Sequence, residues 1–394
     1  MAQEEFEHTV KRDVEARVRE GVKAVLEEVL QEEMTEHLGA GYRELTPTRK
    51  GERNGHYTRN LITPAGKIEH LEVPREREGE FVTELFERYK RVTGSVEEAI
   101  LEMYLSGIST RKIAGITDAL SKVRIGKDAV SRIACRLEEQ QRAWRKRPLE
   151  EKAYPYLYLD ATYLKVNWGG SVANLALLVA VGVDEEGFRE VLSVEVAGGE
   201  KGEAYASLLR GLIDRGLKGV ELIVSDDHEG IKAAVRGELP GVKWQRCIVH
   251  FQRNVLAHVP AKAMAGVAED LKAIFKVRRE KTARILAQEF VSLYQKRFPK
   301  AVSVFEAGVE HALTYLGCPG SHHARIRSTN MLERLFKEVK RRTRVVGVFP
   351  NEKSAATLAT EIMLRSSEEW TLKRYLTMDA LKATEKPDPQ YSRR

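Results

Sequence analysis

An α/β fold with a mixed sheet, a helical insertion and a mostly helical amino-terminal region is what the sequence predicts, and three observations carry that reading. Hydrophobic spacing is helical over residues 4–38 and 95–147, switches to a period of two at 154, and returns to helical from 251 onward. Inside the period-two region, three strand-like runs follow one another before strands begin to alternate with helices. No apolar run approaches the roughly 20 residues that span a bilayer, and the polar, acidic start MAQEEFEHTV is not a secretory signal.

Residues 1–45 place Val14, Val18, Val22, Val25, Leu26, Val29 and Leu30 at helical spacing among many Glu and Arg, ending near Gly39 and Gly41. This is an amphipathic helix, suited either to oligomerisation or to solvation. Over residues 46–92 the stretch RNGHYTRNLITPAGKIEHLEVPRER has short β-type runs broken by PAG and VPRE, which predicts a small hairpin. Residues 93–150 read as three helices: SVEEAILEMYLSG, capped by Ser95 and stopped by Gly107, then STRKIAGITDAL, then KDAVSRIACRLEEQQRAWRKR after a turn at Gly126. That order resembles a helix-turn-helix, with Arg111 and Lys112 in the shorter helix and Ser131, Arg132 and Arg136 on or near the outward face of the last one as DNA-binding candidates. A three-helix bundle with Ser and Arg outside looks similar, so local charge has to support the DNA reading.

From residue 151 to 250 the pattern becomes that of a sheet. YPYLYLDATYLKV, SVANLALLVAVGVD and FREVLSVEVAG are three consecutive strands with short links, an antiparallel meander. The helix EKGEAYASLLRGLIDRG, the buried-looking strand VELIVSD, a helix from about His228 and the strand VKWQRCI follow. Three antiparallel strands, then helix–strand–helix–strand, is the order of a ribonuclease-H-like domain. Residues 251–325 are helical throughout and read as an insertion. Residues 326–370 hold the second part of the core, with helices at 328–344 and 351–366, and 371–394 is a tail.

Charge sharpens the functional reading. The net charge of +7 is modest, but Lys+Arg against Asp+Glu runs 16 to 22 over residues 1–100 and 11 to 6 over 101–150. It continues 11 to 15 over 151–250 and 27 to 15 over 251–394. An acidic middle flanked by basic stretches suits a metal-dependent enzyme acting on a polyanion. The three widely spaced cysteines (Cys135, Cys247, Cys318) suggest a reducing compartment, so a cytoplasmic protein is expected.

Three carboxylates stand out. Asp160 lies in the first strand on the alternating face of Tyr156, Tyr158 and Thr162, Asp226 ends the fourth strand, and Glu333 opens the basic helix RSTNMLERLFKEVKRRTR. Asp is depleted in strands and costly to bury unpartnered, so Asp160 is the hardest to explain structurally. Asp226 alone reads equally as a helix N-cap, and Asn330-x-x-Glu333 as a capping box. Together, three Asp/Glu suffice for two Mg²⁺ ions about 3.5–4 Å apart that clamp both oxygens of a phosphodiester displacement. Arg325, Arg327, Arg334, Lys337, Lys340, Arg341, Arg342 and Arg344 surround Glu333, with Arg253 upstream, as cations that would carry a DNA backbone to the metal. Cys247-x-x-His250 is half of a zinc site, for which Cys318 with His322 or His323 is a conceivable second half. Zinc is not expected; the competing reading places Cys247 and His250 near the active site, and a satisfied core histidine remains open.

The succession DATYLKV, VSDDHEGIKAAV, WQRCIVHFQRN and STNMLERLFKEVKRRTRVVGVFP resembles the Mutator-like bacterial insertion-sequence transposases, over most of residues 50–365. The resemblance implies Asp160, Asp226 and Glu333 as the metal-binding carboxylates of a DDE transposase, with Mg²⁺ or Mn²⁺ as cofactor. It also implies cleavage of transposon ends and joining of the freed 3′-hydroxyl to another phosphodiester. Double-stranded DNA, both terminal inverted repeats and target, would be the partner of a homodimer with no membrane attachment. A non-catalytic DNA-binding derivative or a general ribonuclease-H-like nuclease are the alternatives. Two departures from the family pattern appear: Asp227 where Gly is usual, and Tyr205 where Trp is frequent. In VSDDHEGI, Asp226 is expected to be the ligand and Asp227 a helix cap, so that Asp227→Gly leaves cleavage largely intact.

Overall fold

The helix spelled out at the amino terminus is α1, Ala2–Leu38, closed by Gly39 in the left-handed region at φ 66°. The computed structural model describes residues 2–44, 46–47, 49–77, 81–86, 93–106, 108, 110–121, 127–168, 170–197, 201–344, 346–349 and 351–384. Side chains are described there except at 2–8, 110, 120–121, 127–136, 168, 201 and 382–384. Two units divide the chain, 1–136 and 137–394.

In the first unit, the carboxyl-terminal half of α1 buries Leu30, Met34 and Leu38, while Val10, Val14, Val18 and Val25 stay exposed. The hairpin is β1 (Arg53–Thr63) against β2 (Gly66–Glu76), antiparallel, with Leu61, Ile68, Leu71 and Val73 packed around Leu30 and Phe86. Three helices follow: α2 (Gly94–Leu105), α3 (Thr110–Ser121) and α4 (Lys127–Lys146), the last running across the division between units. The cap of α2 differs from expectation. Thr93, not Ser95, is the N-cap, because its amide is tied to the Ile62 carbonyl of β1 at 2.9 Å and its carbonyl accepts from Val96 and Glu97. Tertiary anchoring starts the helix earlier than the side-chain preference at Ser95 suggests.

The second unit is built on a five-stranded mixed sheet. β3 (Tyr156–Trp168), β4 (Ser171–Val183) and β5 (Arg189–Ala197) form the antiparallel meander, α5 (Lys201–Asp214) follows, and β6 (Leu222–Ser225) pairs parallel to β3. After α6 (Glu229–Glu238), β7 (Lys243–Arg246) adds parallel to β6, giving the order β5-β4-β3-β6-β7. Leu157, Leu159, Leu178, Ala180 and Ile223 pack with Leu208, Leu209 and Leu212 of α5 and with Ile231 and Val235 of α6.

Next come α7 (Ile248–Leu256), α8 (Ala261–Lys276), α9 (Glu280–Tyr294), α10 (Pro299–Leu313) and the single turn α11 (His323–Ile326). Phe251, Phe275, Phe290 and Phe305 form an aromatic core there, with Phe290 and Phe305 centroids 4.5 Å apart. Gln245 locks the sheet to this layer: its Nε2 donates to the Ala312 carbonyl at 2.9 Å and its Oε1 accepts from the Tyr315 amide at 2.6 Å. Then α12 (Asn330–Thr343) buries Met331, Leu332, Leu335, Phe336 and Val339, and α13 (Glu352–Ser367) packs beside it and against β3 and β5. The sequence reads residues 371 onward as a tail, yet this stretch turns back onto the meander. Leu376 and Met378 are buried, the Tyr375 amide donates to the Gly187 carbonyl at 2.7 Å, and α14 (Asp379–Thr384) follows. Gly187, at φ 90°, admits this because a Cβ there would meet the Leu376 carbonyl oxygen at 1.9 Å.

Candidate active site

Register alone brings two of the three carboxylates level. β3 pairs parallel to β6 with Tyr158 opposite Val224, so two residues further along each chain Asp160 stands beside Asp226, one residue past the end of β6. Asp160 is only 8% exposed. Its Oδ1 accepts from the Ala161 amide at 2.8 Å. Burial pushes its carboxyl up to about 6; the Ala161 amide opposes this, Asp226 adds to it, and a smaller lift comes from Glu333 while His250 pulls down. Three acidic groups thus share one end of the sheet with Asp160 desolvated among them.

Glu333 reaches this place from α12. The N-cap of α12 is Thr329, with no side-chain capping bond, so Asn330 is the first helical residue and no Asn-x-x-Glu box forms. The Glu333 carboxylate instead lies 3.3 Å from His250 Nε2 on α7. His250 Nδ1 is buried without a partner in good hydrogen-bond geometry. Its neighbourhood with the Cys247 sulfur, aided by Asp160 and Glu333 against the cost of burial, holds the imidazole up at about 9. His250 is the basic group set beside these carboxylates.

Cys247 explains why these elements meet. It is the N-cap of α7, its amide donates to the Ser225 carbonyl at 2.7 Å, and the next amide, Ile248, donates to the Arg327 carbonyl at 3.0 Å. Its sulfur accepts from the Thr329 amide at 3.4 Å and the Thr329 hydroxyl at 3.5 Å. Burial raises the thiol's pKa, but His250 and Thr329 outweigh that and leave it lowered. One buried residue thereby joins three elements: its amide holds the end of β6, it begins α7, and its sulfur holds Thr329 at the start of the Glu333 helix. The conceivable second half of a zinc site is engaged elsewhere: His322 Nδ1 meets the Tyr156 hydroxyl at 2.8 Å and its Nε2 the Thr377 carbonyl, while His323 meets the Cys318 carbonyl. Among the described residues, no three His, Cys, Asp or Glu side chains stand close enough to enclose an ion as placed.

Asp227 is not the cap the sequence suggests. His228 is the N-cap of α6, its Nδ1 accepting from the Gly230 amide at 3.2 Å. Asp227 instead bridges two cations, Lys232 Nζ at 2.7 Å and Arg246 NH1 at 2.9 Å. Arg246 is 5% exposed, lies over the Phe251 ring, and has its pKa lowered by burial against the pull of Asp227. A buried guanidinium demands a counter-charge, and that demand takes the Asp227 carboxylate away from the helix end. Sequence reasoning passed over Arg246; the signal was its place between the buried strand residue Gln245 and Cys247. Tyr205, the other departure, is buried on α5, packs its ring 5.9 Å from that of His228, and has its hydroxyl pKa raised by burial and then by Asp226 and Asp160.

The remaining DNA-binding candidates separate. Arg253, Arg325, Arg334, Lys337, Lys340 and Arg344 are exposed, the last four along the polar face of α12 and at its end. Arg341 and Arg342 pair with Glu338, whose carboxyl these arginines hold down at about 2. Arg327 turns inward, donating from NH1 to the Phe275 carbonyl at 2.7 Å, so it braces the inserted helices rather than facing outward. Arg111 and Lys112 are exposed on α3. Ser131, Arg132 and Arg136 sit on α4, but their side chains lie outside the described residues.

Comparison with known proteins bears on what this arrangement serves. The profile described as "Transposase, Mutator family" matches residues 1–373. The transposase for insertion sequence element ISRM5 of Rhizobium meliloti is 44% identical over 370 residues, 94% of this chain and 92% of that protein. The transposase for element IS256 in transposon Tn4001 of Staphylococcus aureus is 35% identical over 378 residues, 95% of this chain and 96% of the relative. That for element IS1081 of Mycobacterium tuberculosis is 33% identical over 361 residues, covering 89% and 87%.

Proposed function

From the premise that the chain belongs to the Mutator family of transposases, we propose that it moves an insertion sequence by cleaving DNA at the element's ends and joining the freed 3′-hydroxyl to another phosphodiester. The second unit is then a ribonuclease-H-like catalytic domain, a reading supported by the sheet order β5-β4-β3-β6-β7 with its antiparallel meander and parallel addition. The single observation that carries the active site is the convergence of Asp160, Asp226 and Glu333 on one end of that sheet, with Asp160 buried and raised to about 6 by desolvation and by its acidic neighbours. Three carboxylates gathered at one end of the sheet, with His250 the one basic group among the described residues paired to them, fit a divalent cation, and oxygen donors favour Mg²⁺ or Mn²⁺ over softer metals.

Asp160 and Asp226 would hold the metal and Glu333 would complete its shell. When bound, Mg²⁺ supplies Lewis acidity to the scissile phosphate and lowers the pKa of an attacking water or hydroxyl. The rest falls to the chain. Asp160 is fixed in mid-strand by the Ala161 amide, so its oxygens are oriented before substrate arrives. His250, 3.3 Å from the Glu333 carboxylate, would orient that carboxylate and stand within the site to meet a phosphate oxygen. The exposed cations of α12 would take the DNA backbone along the same helix that carries Glu333. A homodimer acting on paired ends is part of this proposal.

The test is strand transfer of an oligonucleotide bearing the element's end, in Mg²⁺ or Mn²⁺. Asp160→Asn, Asp226→Asn and Glu333→Gln are each expected to abolish cleavage and joining while leaving DNA binding. Unchanged cleavage and joining by Asp160→Asn would remove the site assignment, and cutting without joining would favour a nuclease.

A further inference from the structure

A second site lies around the flank of α12 from Glu333. A cleft of about 570 Å³ opens between the start of β5, one side of α12 and the segment after α13. Five cations line it: Arg189, Arg325, Arg334, Lys373 and Arg374. Among the described residues none of the five makes an ion pair. Of the two carboxylates there, Glu338 is taken by Arg341 and Arg342, and Glu369 is an exposed rim residue.

The walls are built to hold this charge still. The Arg189 guanidinium is stacked between Trp370, at 4.5 Å from the ring centroid, and Tyr375, at 4.4 Å; Arg325 stands over the Tyr375 ring at 4.9 Å. Below them the buried Tyr158 hydroxyl donates to the Arg325 carbonyl at 3.3 Å. Two polar donors in the same wall, Arg189 Nε and Ser366 Oγ, are buried and have no partner. Burial and the like charges of Arg325 and Arg334 lower the Arg189 pKa, with only Tyr375 and Tyr158 opposing. Stacked arginines, orphan donors and absent counter-ions together describe a place prepared for an anion.

We propose that this cleft binds phosphodiesters of an unpaired DNA strand. The proposal rests on the DNA reading above and deepens it. Phosphate fits the donor set, because guanidinium groups bind its oxygens in pairs and lysine adds a point charge. Size selects one strand: the volume is that of a small-ligand pocket, with room for a nucleotide and not for a double helix. Position selects the active site's own substrate, because Asn330, Met331, Arg334 and Leu335 on the cleft side share the first turns of α12 with Glu333. The strand held here is therefore one separated from its complement close to the reacting phosphate.

Binding of full-length protein to end-labelled oligonucleotides, read by anisotropy in chelator across a salt series, tests this without requiring catalysis. Lys373→Gln and Arg374→Gln alter exposed side chains, so folding is expected to survive. Each is expected to weaken binding several-fold to a duplex ending in an unpaired strand, to leave blunt duplex unaffected, and to flatten the log–log salt slope by about 0.7. Lys373→Arg restores the slope. A neutral methylphosphonate at one linkage of the unpaired strand is expected to weaken wild type several-fold and to add nothing in Lys373→Gln. Unchanged slopes, equal effects on tailed and blunt DNA, or displacement of the tail by millimolar pyrophosphate or mononucleotide would overturn the proposal, the last assigning the cleft to free phosphate compounds. Failure of Asp160→Asn to impair catalysis would bear only on the carboxylates, because these measurements contain no metal.

Discussion

Replacing Asp160 by Asn in the metal-free protein isolates the energetic cost of the proposed metal site. Burial and acidic neighbours lift the Asp160 carboxyl from 3.8 to about 6. At about 1.4 kcal/mol per unit, that difference amounts to about 3 kcal/mol. Asp160 is 8% exposed, so solvent screening removes little of it. The sign follows from proton uptake. Between pH 3.8 and 6 the folded protein holds a proton that the unfolded chain has released, so the wild type loses stability as pH rises and carries the whole cost above about pH 7.

Asparagine cannot ionise and escapes that cost. The stability of Asp160→Asn relative to wild type should therefore rise by roughly 2–3 kcal/mol between pH 4 and pH 8, with part of the change complete by pH 5. For a unit of this size that is roughly 4–12 °C in melting temperature. Urea or thermal unfolding in chelator at several pH values measures it. Adding Mg²⁺ at pH 8 should stabilise wild type and not the variant, by about 2.7 kcal/mol at a hundred times the dissociation constant. A stability difference that stays flat with pH would refute the claim that Asp160 is buried among unneutralised charge.

The other expectations concern what holds the site in place. Asp227→Asn removes the counter-charge of Arg246 and should cost about 1–3 kcal/mol in urea unfolding, less than a fully buried pair because Asp227 retains 28% exposure. Asp227→Gly should do at least as much, where the sequence alone predicted cleavage left largely intact. Cys247→Ala deletes the sulfur that joins Thr329 to α7, and should cost roughly 1–3 kcal/mol and slow strand transfer, while Cys247→Ser retains a partner for Thr329 and loses less. Phe305→Ala opens the aromatic core of the inserted helices at a cost of about 3–5 kcal/mol, read as a lower melting temperature.

Much of the second unit was legible because its signals are local. Alternation in YLYLDATYLKV, the apolar LIVS run and the switch back to helical spacing each report on a few neighbouring residues, and the strands lie where those patterns are. The pairing of Asp160 with Asp226 was also within reach, since both stand two residues past a register pair set by burial of the same strands. What the sequence misassigned were choices between nearby polar groups. Ser95 yielded to Thr93 because Thr93 is hydrogen-bonded to β1, and the tail turned out to be packed because Gly187 lets it approach. Neither partner is near in sequence, so no local preference could reveal them.

Asp227 shows the same limit most sharply, and it bears on function. Read locally, an Asp before a helix is a cap. In the folded chain, Arg246 lies 19 residues on, buried at the end of the neighbouring strand beside Phe251, and its guanidinium has the stronger claim on the carboxylate. His228 then caps the helix, and the Asp227 side chain, next along the chain from Asp226, is tied to Arg246. A glycine there would leave Arg246 without this counter-charge. The extra aspartate thus ties the residue beside Asp226 to a buried arginine, and we propose it as a positioning group next to a metal-ligand candidate. The measurement that separates this from a purely structural role is the Mn²⁺ concentration giving half-maximal cleavage. Asp227→Asn should raise that concentration several-fold at temperatures where the variant is fully folded, and an unchanged value would confine Asp227 to stability alone.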